Sequence, residues 1–203
     1  IAKFRAARRI WSKEMKRRYN PQNLKSLMLR FHTQTAGFSL TAQQPENNIT
    51  RTSLQALAAV LGGTQSLHTN SMDETLALPS EKAAEIALRS QQIIAYESGV
   101  TNTIDPLGGS WYIESLTNNI ESQVYNYFKQ IDLQGGVVQA IENSYFQKEI
   151  SLASSKYQSK VDEKSRYIVG VNKFIKEDEN IEIPILEIRK EVQNEQISRI
   201  LEI

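Results

Sequence analysis

Cysteine is absent from the 203 residues of this chain. Its absence excludes disulfide bonds, thiolate metal ligands and a thiol nucleophile, and it is typical of proteins from a reducing compartment. Long apolar runs are also missing, because the longest uncharged stretch, residues 52–72, is interrupted by Gly62, Gly63 and several polar side chains. We therefore expect a soluble, cytoplasmic protein that does not associate with a membrane.

A strong net charge is missing as well. The 24 basic and 23 acidic side chains leave a formal net charge of +1, which excludes an overall electrostatic attraction to nucleic acid or lipid. Hydrophobic residues make up 40% of the chain and charged residues 23%, which excludes an intrinsically disordered protein. The chain starts in a helical pattern without an initiator methionine or a signal peptide, so we interpret it as a piece of a longer protein.

Several familiar catalytic motifs are lacking. The sequence has no Gly-x-Gly-x-x-Gly, no phosphate-binding loop that ends in Gly-Lys-Ser/Thr and no Gly-x-Ser-x-Gly. A dinucleotide-binding fold, a P-loop nucleotidase and a serine hydrolase therefore have no support from motifs. The glycine pairs at 62–63, 108–109 and 135–136 are expected to form turns.

The apolar pattern of the first part predicts helices that alternate with short strands. The predicted order is a basic amphipathic helix ending near Tyr19, a strand over Leu24–Phe31, a helix over Asn47–Leu61, a strand over Thr64–His68 and a helix that begins at Ser80. We expect Asn47 or Asn48 to cap the second helix and Ser80 the third. Such alternation is typical of parallel βα units, whose binding groups lie in the loops after the strands.

The rest of the chain is predicted to be mainly helical. The predicted elements are helices over Tyr112–Leu133, Val137–Asn143 and Phe146–Lys164, a short strand over Tyr167–Val171 and a charged tail to Ile203. The basic face of the first helix is interpreted as a solvated surface, with a phosphate or acidic-partner patch as the alternative.

Two polar clusters follow the two predicted strands. The two histidines of the chain, His32 and His68, lie at the predicted carboxyl ends of these strands, which places them in one shared site. A zinc site of His32, His68 and Glu74 is an alternative, but its spacing matches no zinc signature and we assign no metal ligand. The surrounding Ser, Thr, Asn and Gln side chains predict a large polar ligand held by neutral contacts, unless they only solvate the loops.

Four longer motifs carry a resemblance to a known family. They are residues 30–43 (RFHTQTAGFSLTAQ), 62–74 (GGTQSLHTNSMDE), 105–110 (DPLGGS) and 168–174 (IVGVNKF). In this order they resemble the catalytic-barrel chain of the adenosylcobalamin-dependent acyl-CoA mutases, whose type member is methylmalonyl-CoA mutase. The similarity extends over residues 1–175.

The resemblance implies an α/β fold that contains the last two βα units of a (β/α)8 TIM barrel. Residues 1–110 would form this carboxyl-terminal part of the barrel, with barrel strands at Ser26–Phe31 and Thr64–His68. Residues 111–175 would form a helical post-barrel segment and residues 176–203 a charged tail or linker. Because a complete barrel needs about 250 residues, the missing barrel half and a cobalamin-binding domain or subunit are expected partners, in an assembly that we expect to be a dimer.

The resemblance also implies a site. In this family adenosylcobalamin supplies a radical, and the carbon skeleton of an acyl-CoA substrate is rearranged. Matching by position implies that Gln34, Gly37, Asn70, Glu74, Ala77 and Leu78 bind the cofactor and that His32 and Gln65 bind the substrate. No residue here matches a family residue that assists the rearrangement, so we assign no catalytic residue and expect the isolated chain to be inactive. The alternatives are a non-catalytic barrel subunit or fragment that serves assembly, and an independent helical interaction module.

Overall fold

A computed structural model describes residues 1–179, 183–184 and 186–202 of the chain. Its helices are α1 Ala2–Tyr19, α2 Asn47–Leu61, α3 Glu81–Tyr96, α4 Trp111–Leu133, α5 Val137–Glu142, α6 Tyr145–Asp162 and α7 Lys190–Leu201. Its strands are β1 His32–Gln34 and β2 Ser66–His68, and short 3-10 turns occupy Leu24–Leu27, Gly37–Ser39 and Val100–Asn102. None of the helices in the described part is long and apolar enough to cross a membrane.

The two strands form a parallel pair joined through α2. The register aligns His32 with Ser66, Thr33 with Leu67 and Gln34 with His68. Because side chains alternate along a strand, the residues at both ends of β1 and β2 share one exposed face, while Thr33 and Leu67 lie on the other. This arrangement confirms a mixed α/β fold with a parallel βαβ unit. Closure into a barrel stays a prediction, because the sheet in the described residues has these two strands.

The predicted extent of the first strand was wrong. Leu24–Leu27 forms a 3-10 turn in which Oδ1 of Asn23 accepts a hydrogen bond from the Lys25 backbone at 3.0 Å. A side chain that caps a turn competes with strand formation. Backbone hydrogen bonds between the two segments begin only at Phe31, whose carbonyl accepts from the Gln65 backbone. The ladder therefore starts at His32 and not at Ser26, and β2 starts at Ser66 and not at Thr64.

The predicted strand over Tyr167–Val171 was also wrong. This segment forms tight turns, and Gly170 has a positive φ of 84° that favours glycine. The side chain of Asn172 accepts a hydrogen bond from the Ile168 backbone and donates to the carbonyls of Val161 and Arg166. These local bonds take the place of the ladder that a strand needs.

The helix ends follow the predicted signals in two of three cases. Ser80 caps α3 by accepting a hydrogen bond from the Ala83 backbone at 3.3 Å. The α2 helix ends at Gly62, and Gly63 has a φ of 78°. The prediction that Asn47 or Asn48 caps α2 was wrong, because the residue at the cap is Glu46 and it makes no side-chain cap bond. Asn48 is instead buried and bonded to two loops.

The basic face of α1 lies against α4. Arg5 forms ion pairs with Asp105 and Glu114, and Arg9 and Lys13 both pair with Glu121. This part of the basic face is therefore not the solvated surface that we predicted, because its charges are paired with acidic residues of the chain itself and are not free to bind a phosphate. An apolar cavity of about 810 Å³ between α1 and α4 lies apart from the two strands.

Candidate functional site

The exposed face of the strand pair carries neutral polar groups that bond to each other. Nδ1 of His32 lies 2.7 Å from Oγ of Ser66. At the other end of the strand, Nε2 of Gln34 donates a hydrogen bond of 3.0 Å to Oδ1 of Asn70. His32 is the first residue of β1, whereas Gln34 and His68 are the last residues of the two strands. The prediction that His32 lies at the carboxyl end of its strand was therefore wrong, because the strand begins at this residue and not before it. The structure thus brings Gln34 and Asn70, both predicted cofactor ligands, into direct contact.

The loop after β1 approaches the loop after β2 at Gly37. A Cβ atom on Gly37 would lie 3.0 Å from Nδ2 of Asn70 and 3.5 Å from Oε1 of Glu74. The 3-10 turn at Gly37 is held from behind by Gln55 of α2, whose Oε1 accepts a hydrogen bond of 2.6 Å from the Ala36 backbone. A side chain at position 37 would therefore crowd two other predicted cofactor ligands, and glycine avoids this contact.

Bonds between the strand ends hold the two loops together. The Thr35 backbone donates to the carbonyl of His68, and Oγ1 of Thr35 accepts from the Asn70 backbone at 2.9 Å. Oγ1 of Thr69 donates to the Ala87 carbonyl of α3 at 2.7 Å. Thr35, Thr69 and Asn70 are all buried. The carboxyl end of the strand pair is consequently a well-bonded scaffold and not a solvated loop cluster.

Asp73 organises the loop that carries Glu74, Ala77 and Leu78. Its carboxylate accepts hydrogen bonds from Oγ of Ser71 at 2.6 Å and from the Ser80 backbone at 2.9 Å, and it is 1% exposed. Burial alone would raise the pKa of Asp73, but the hydrogen bonds from Ser71 and Ser80 outweigh it, and the pKa lies below its ordinary value. The buried charge is thereby satisfied and fixes the loop. No motif in the sequence marked Asp73 as the residue that fixes this loop.

A small cavity joins several of these residues. His68, Glu74 and residues of the loop and of α3 line a space of about 200 Å³. Glu74 is an exposed residue of this lining, whereas Leu78, which is exposed, and Ala77, which is half-buried, do not line the cavity. The second histidine and the predicted cofactor-binding glutamate therefore face one concave surface.

Gln65 lies apart from this cluster. Its Oε1 accepts a hydrogen bond of 2.9 Å from the Phe31 backbone, and its Nε2 donates to the Gly63 carbonyl at 3.1 Å. Gln65 also lines a different cavity, together with Val60 and Thr64. Its side chain ties the start of β2 to the residue before β1, so its substrate contact stays a prediction.

The donor set fits a polar organic ligand better than a metal ion. Within residues 1–179, 183–184 and 186–202, no group of three His, Cys, Asp or Glu side chains is placed to hold a metal, so the zinc alternative gains no support. Nδ2 of Asn70 is buried without a hydrogen-bond partner. An orphaned donor beside Gly37 and Glu74 fits a polar ligand that presents acceptor atoms.

Comparison with known proteins places these features in a family. The sequence profile of the methylmalonyl-CoA mutase family matches residues 1–203. The chain is 47% identical over 201 residues to the 2-hydroxyisobutanoyl-CoA mutase large subunit of Aquincola tertiaricarbonis, covering 98% of this chain and 35% of that protein. It is 50% identical over 199 residues to methylmalonyl-CoA mutase of Escherichia coli K12, covering 98% of this chain and 28% of that protein.

A similar result holds for the mitochondrial methylmalonyl-CoA mutase of Homo sapiens, with 43% identity over 204 residues, 100% of this chain and 27% of that protein. The chain thus spans about a third or less of the length of these relatives. Because the profile matches the chain from its first residue to its last, the chain belongs to the methylmalonyl-CoA mutase family.

Proposed function

We propose that this chain forms part of the catalytic barrel of a coenzyme B12-dependent acyl-CoA mutase. Its relatives are named as mutases of methylmalonyl-CoA and of 2-hydroxyisobutanoyl-CoA. The observation that carries the proposal is the meeting of Gln34, Gly37, Asn70 and Glu74 at the carboxyl end of a parallel strand pair. Within this cluster, Nδ2 of Asn70 is a buried donor without a partner and would be available to a ligand.

The proposed ligand of this cluster is adenosylcobalamin. The backbone at Gly37, which carries no side chain, would lie against the flat corrin, and Nδ2 of Asn70 would donate to the coenzyme. The exposed Glu74 carboxylate would accept hydrogen bonds from ribose hydroxyls, and Ala77 and Leu78 would supply apolar contacts on the same loop. When bound, the coenzyme supplies the radical chemistry of the carbon-skeleton rearrangement.

The acyl-CoA substrate is assigned to the face that bears His32. His32 and Gln34 lie on one side of β1, so the substrate residue and the cofactor residue would open onto the same space. The chain contains no thiol and the exposed face of the strands carries no carboxylate or amine, which protects a reactive radical from side reactions. Gln65 would act beside His32.

The complete assembly is defined here as this chain together with the rest of the barrel and a cobalamin-binding domain or subunit. The large-subunit name of the Aquincola relative supports a partner subunit, and we propose that the assembly is a dimer. The proposed cytoplasmic location fits the bacterial relatives, whereas other relatives are named as mitochondrial.

Titration of the complete assembly with adenosylcobalamin tests the proposal. We expect a saturable change in the visible spectrum of the coenzyme and isomerisation of methylmalonyl-CoA or 2-hydroxyisobutanoyl-CoA, with the Escherichia coli mutase as the positive control. A folded assembly that leaves the coenzyme spectrum unchanged would support the alternative of a non-catalytic barrel subunit.

A further inference from the structure

Asn48 is a fully buried side chain that joins the two loops of the candidate site. It is 0% exposed, and its Nδ2 donates hydrogen bonds to the carbonyls of Thr41 at 2.8 Å and Met72 at 2.9 Å. Its Oδ1 accepts from the Thr41 backbone at 3.1 Å and from Nη1 of Arg51 at 2.7 Å. Both donors and both acceptor positions of the amide are therefore in use.

The two bonded carbonyls belong to the loops that carry the proposed cofactor ligands. Thr41 follows the 3-10 turn that begins at Gly37, and Met72 lies between Asn70 and Glu74. One amide group thus connects the Gly37 loop to the Glu74 loop through the first turn of α2. Asparagine suits this position because a carboxylate lacks donors and a glutamine is one methylene longer than a fully buried site accepts.

Arg51 fixes the orientation of the Asn48 amide. Its Nη1 donates to Oδ1 of Asn48 and to Oγ1 of Thr41, at 2.7 and 2.9 Å. Its Nη2 donates to the carbonyl of Val169 at 2.7 Å. A cation beside Oδ1 keeps the oxygen on that side, so Nδ2 stays directed at the two loop carbonyls.

We infer that Asn48 is a positioning residue that sets the separation of the Gly37 and Glu74 loops, and thereby the affinity for the coenzyme, without touching it. This inference rests on the proposed function of the two loops. A change at Asn48 should weaken coenzyme binding, while turnover at saturating coenzyme and the KM for acyl-CoA remain near their original values.

The test compares two buried residues of α2 in the complete assembly. Asn48→Asp keeps the size of the side chain but removes both donors, and we expect the KM for adenosylcobalamin to rise about tenfold or more with kcat changed less than about threefold. Thr52→Val is the matched control, because Thr52 is 2% exposed and its Oγ1 has no partner. This variant should leave both parameters unchanged.

A second readout needs no coenzyme. In coenzyme-free protein, Asn48→Asp should accelerate hydrogen exchange in both loops, residues 37–44 and 70–78, whereas Thr52→Val should accelerate neither. If Asn48→Asp does not fold, Asn48→Ser, which keeps one donor, replaces it in both measurements and should show the same pattern at smaller size.

The possible failures can be told apart. If the unsubstituted protein does not bind adenosylcobalamin, the proposed function is contradicted. The hydrogen-exchange measurement on the two loops then decides by itself whether Asn48 positions them. Unchanged exchange in the two loops, equal effects of the Asn48 and Thr52 variants, or a fall in kcat without a rise in coenzyme KM would overturn the role of Asn48.

Discussion

Gln34 donates a hydrogen bond of 3.0 Å to Oδ1 of Asn70 and so ties the last residue of β1 to the loop that follows β2. Because the oxygen of the Asn70 amide is occupied in this way, its Nδ2 points elsewhere and stays buried without a partner. A buried donor without a partner costs about 1–3 kcal/mol. Such a loss of stability is tolerated at functional sites, where a ligand supplies the missing acceptor.

Asn70→Asp separates the donor role of Asn70 from its structural role. The aspartate keeps an acceptor for Gln34 but has no Nδ2 donor, so the affinity for adenosylcobalamin should fall about tenfold. Coenzyme titration by visible absorption measures this change. Asn118→Asp is the control, because Asn118 is an exposed residue of α4 that accepts a hydrogen bond from Arg9. Equal affinities of the two variants would contradict a cofactor role for Asn70.

Substitution of Gly37 should have an effect that grows with the size of the new side chain. An alanine Cβ would lie 3.0 Å from Nδ2 of Asn70, which requires a small displacement, and the branched side chain of valine would also reach the space assigned to the corrin. We expect Gly37→Ala to weaken coenzyme binding severalfold and Gly37→Val to abolish it. Calorimetric titration measures both. Wild-type affinity in Gly37→Val would show that no large ligand approaches this backbone.

Glu74→Gln tests the charge at the rim of the site. The substitution keeps the shape of the side chain but weakens the hydrogen bonds that a carboxylate accepts from ribose hydroxyls, so coenzyme affinity should fall about tenfold. Glu85→Gln is a matched control, since Glu85 is exposed on α3 and pairs with Arg89. Kinetics of the complete assembly at varied coenzyme concentration distinguish the variants, and identical curves would exclude Glu74 from the site.

Asp73 gives the Glu74 loop a defined dependence on pH. Hydrogen bonds to the folded carboxylate lower its pKa, so its charged form stabilises the loop fully above the unfolded aspartate pKa of about 3.9. This stabilisation is lost as the pH falls through the lowered folded value. Hydrogen exchange of residues 71–80, corrected for the intrinsic rate, should accelerate over that acidic range.

The Asp73→Asn variant checks the cause of this acid response. Asparagine loses one of the two acceptors, so exchange of residues 71–80 should be faster than in the original protein at neutral pH, by an amount that corresponds to about 1–3 kcal/mol. Its exchange should then change little on acidification. An acid response as large as that of the original protein would assign the effect to another group.

Local signals in the sequence predicted some elements well. The apolar spacing of Asn47–Leu61 and the glycine at 62 gave the bounds of α2, and Ser80 marked the start of α3. The first strand was misplaced because strands of three residues carry little periodicity, and the apolar residues before His32 suggested an earlier start. Asn23, which caps a turn there, was the signal that could have corrected this interpretation.

The partners of the site residues were harder to predict. Asparagine is a residue type that often caps helices, so Asn48 was predicted as a cap. Its partners Thr41 and Met72 lie 7 and 24 positions away, and only the folded chain brings them together. From the sequence alone, Asp73 could not be distinguished from a surface charge, because its partner Ser80 lies seven positions away and reaches the carboxylate only in the folded loop. The strand pattern predicted only that the loops after the two strands lie at one edge, whereas Gln34, Gly37 and Glu74 were named by the resemblance to the family.

A structure of the complete assembly with bound adenosylcobalamin tests the central claim most directly. We predict that the coenzyme lies against the Gly37 backbone, that Nδ2 of Asn70 donates a hydrogen bond to it, and that the Glu74 carboxylate contacts its ribose. A coenzyme bound elsewhere, with Asn70 still lacking a partner, would contradict the account.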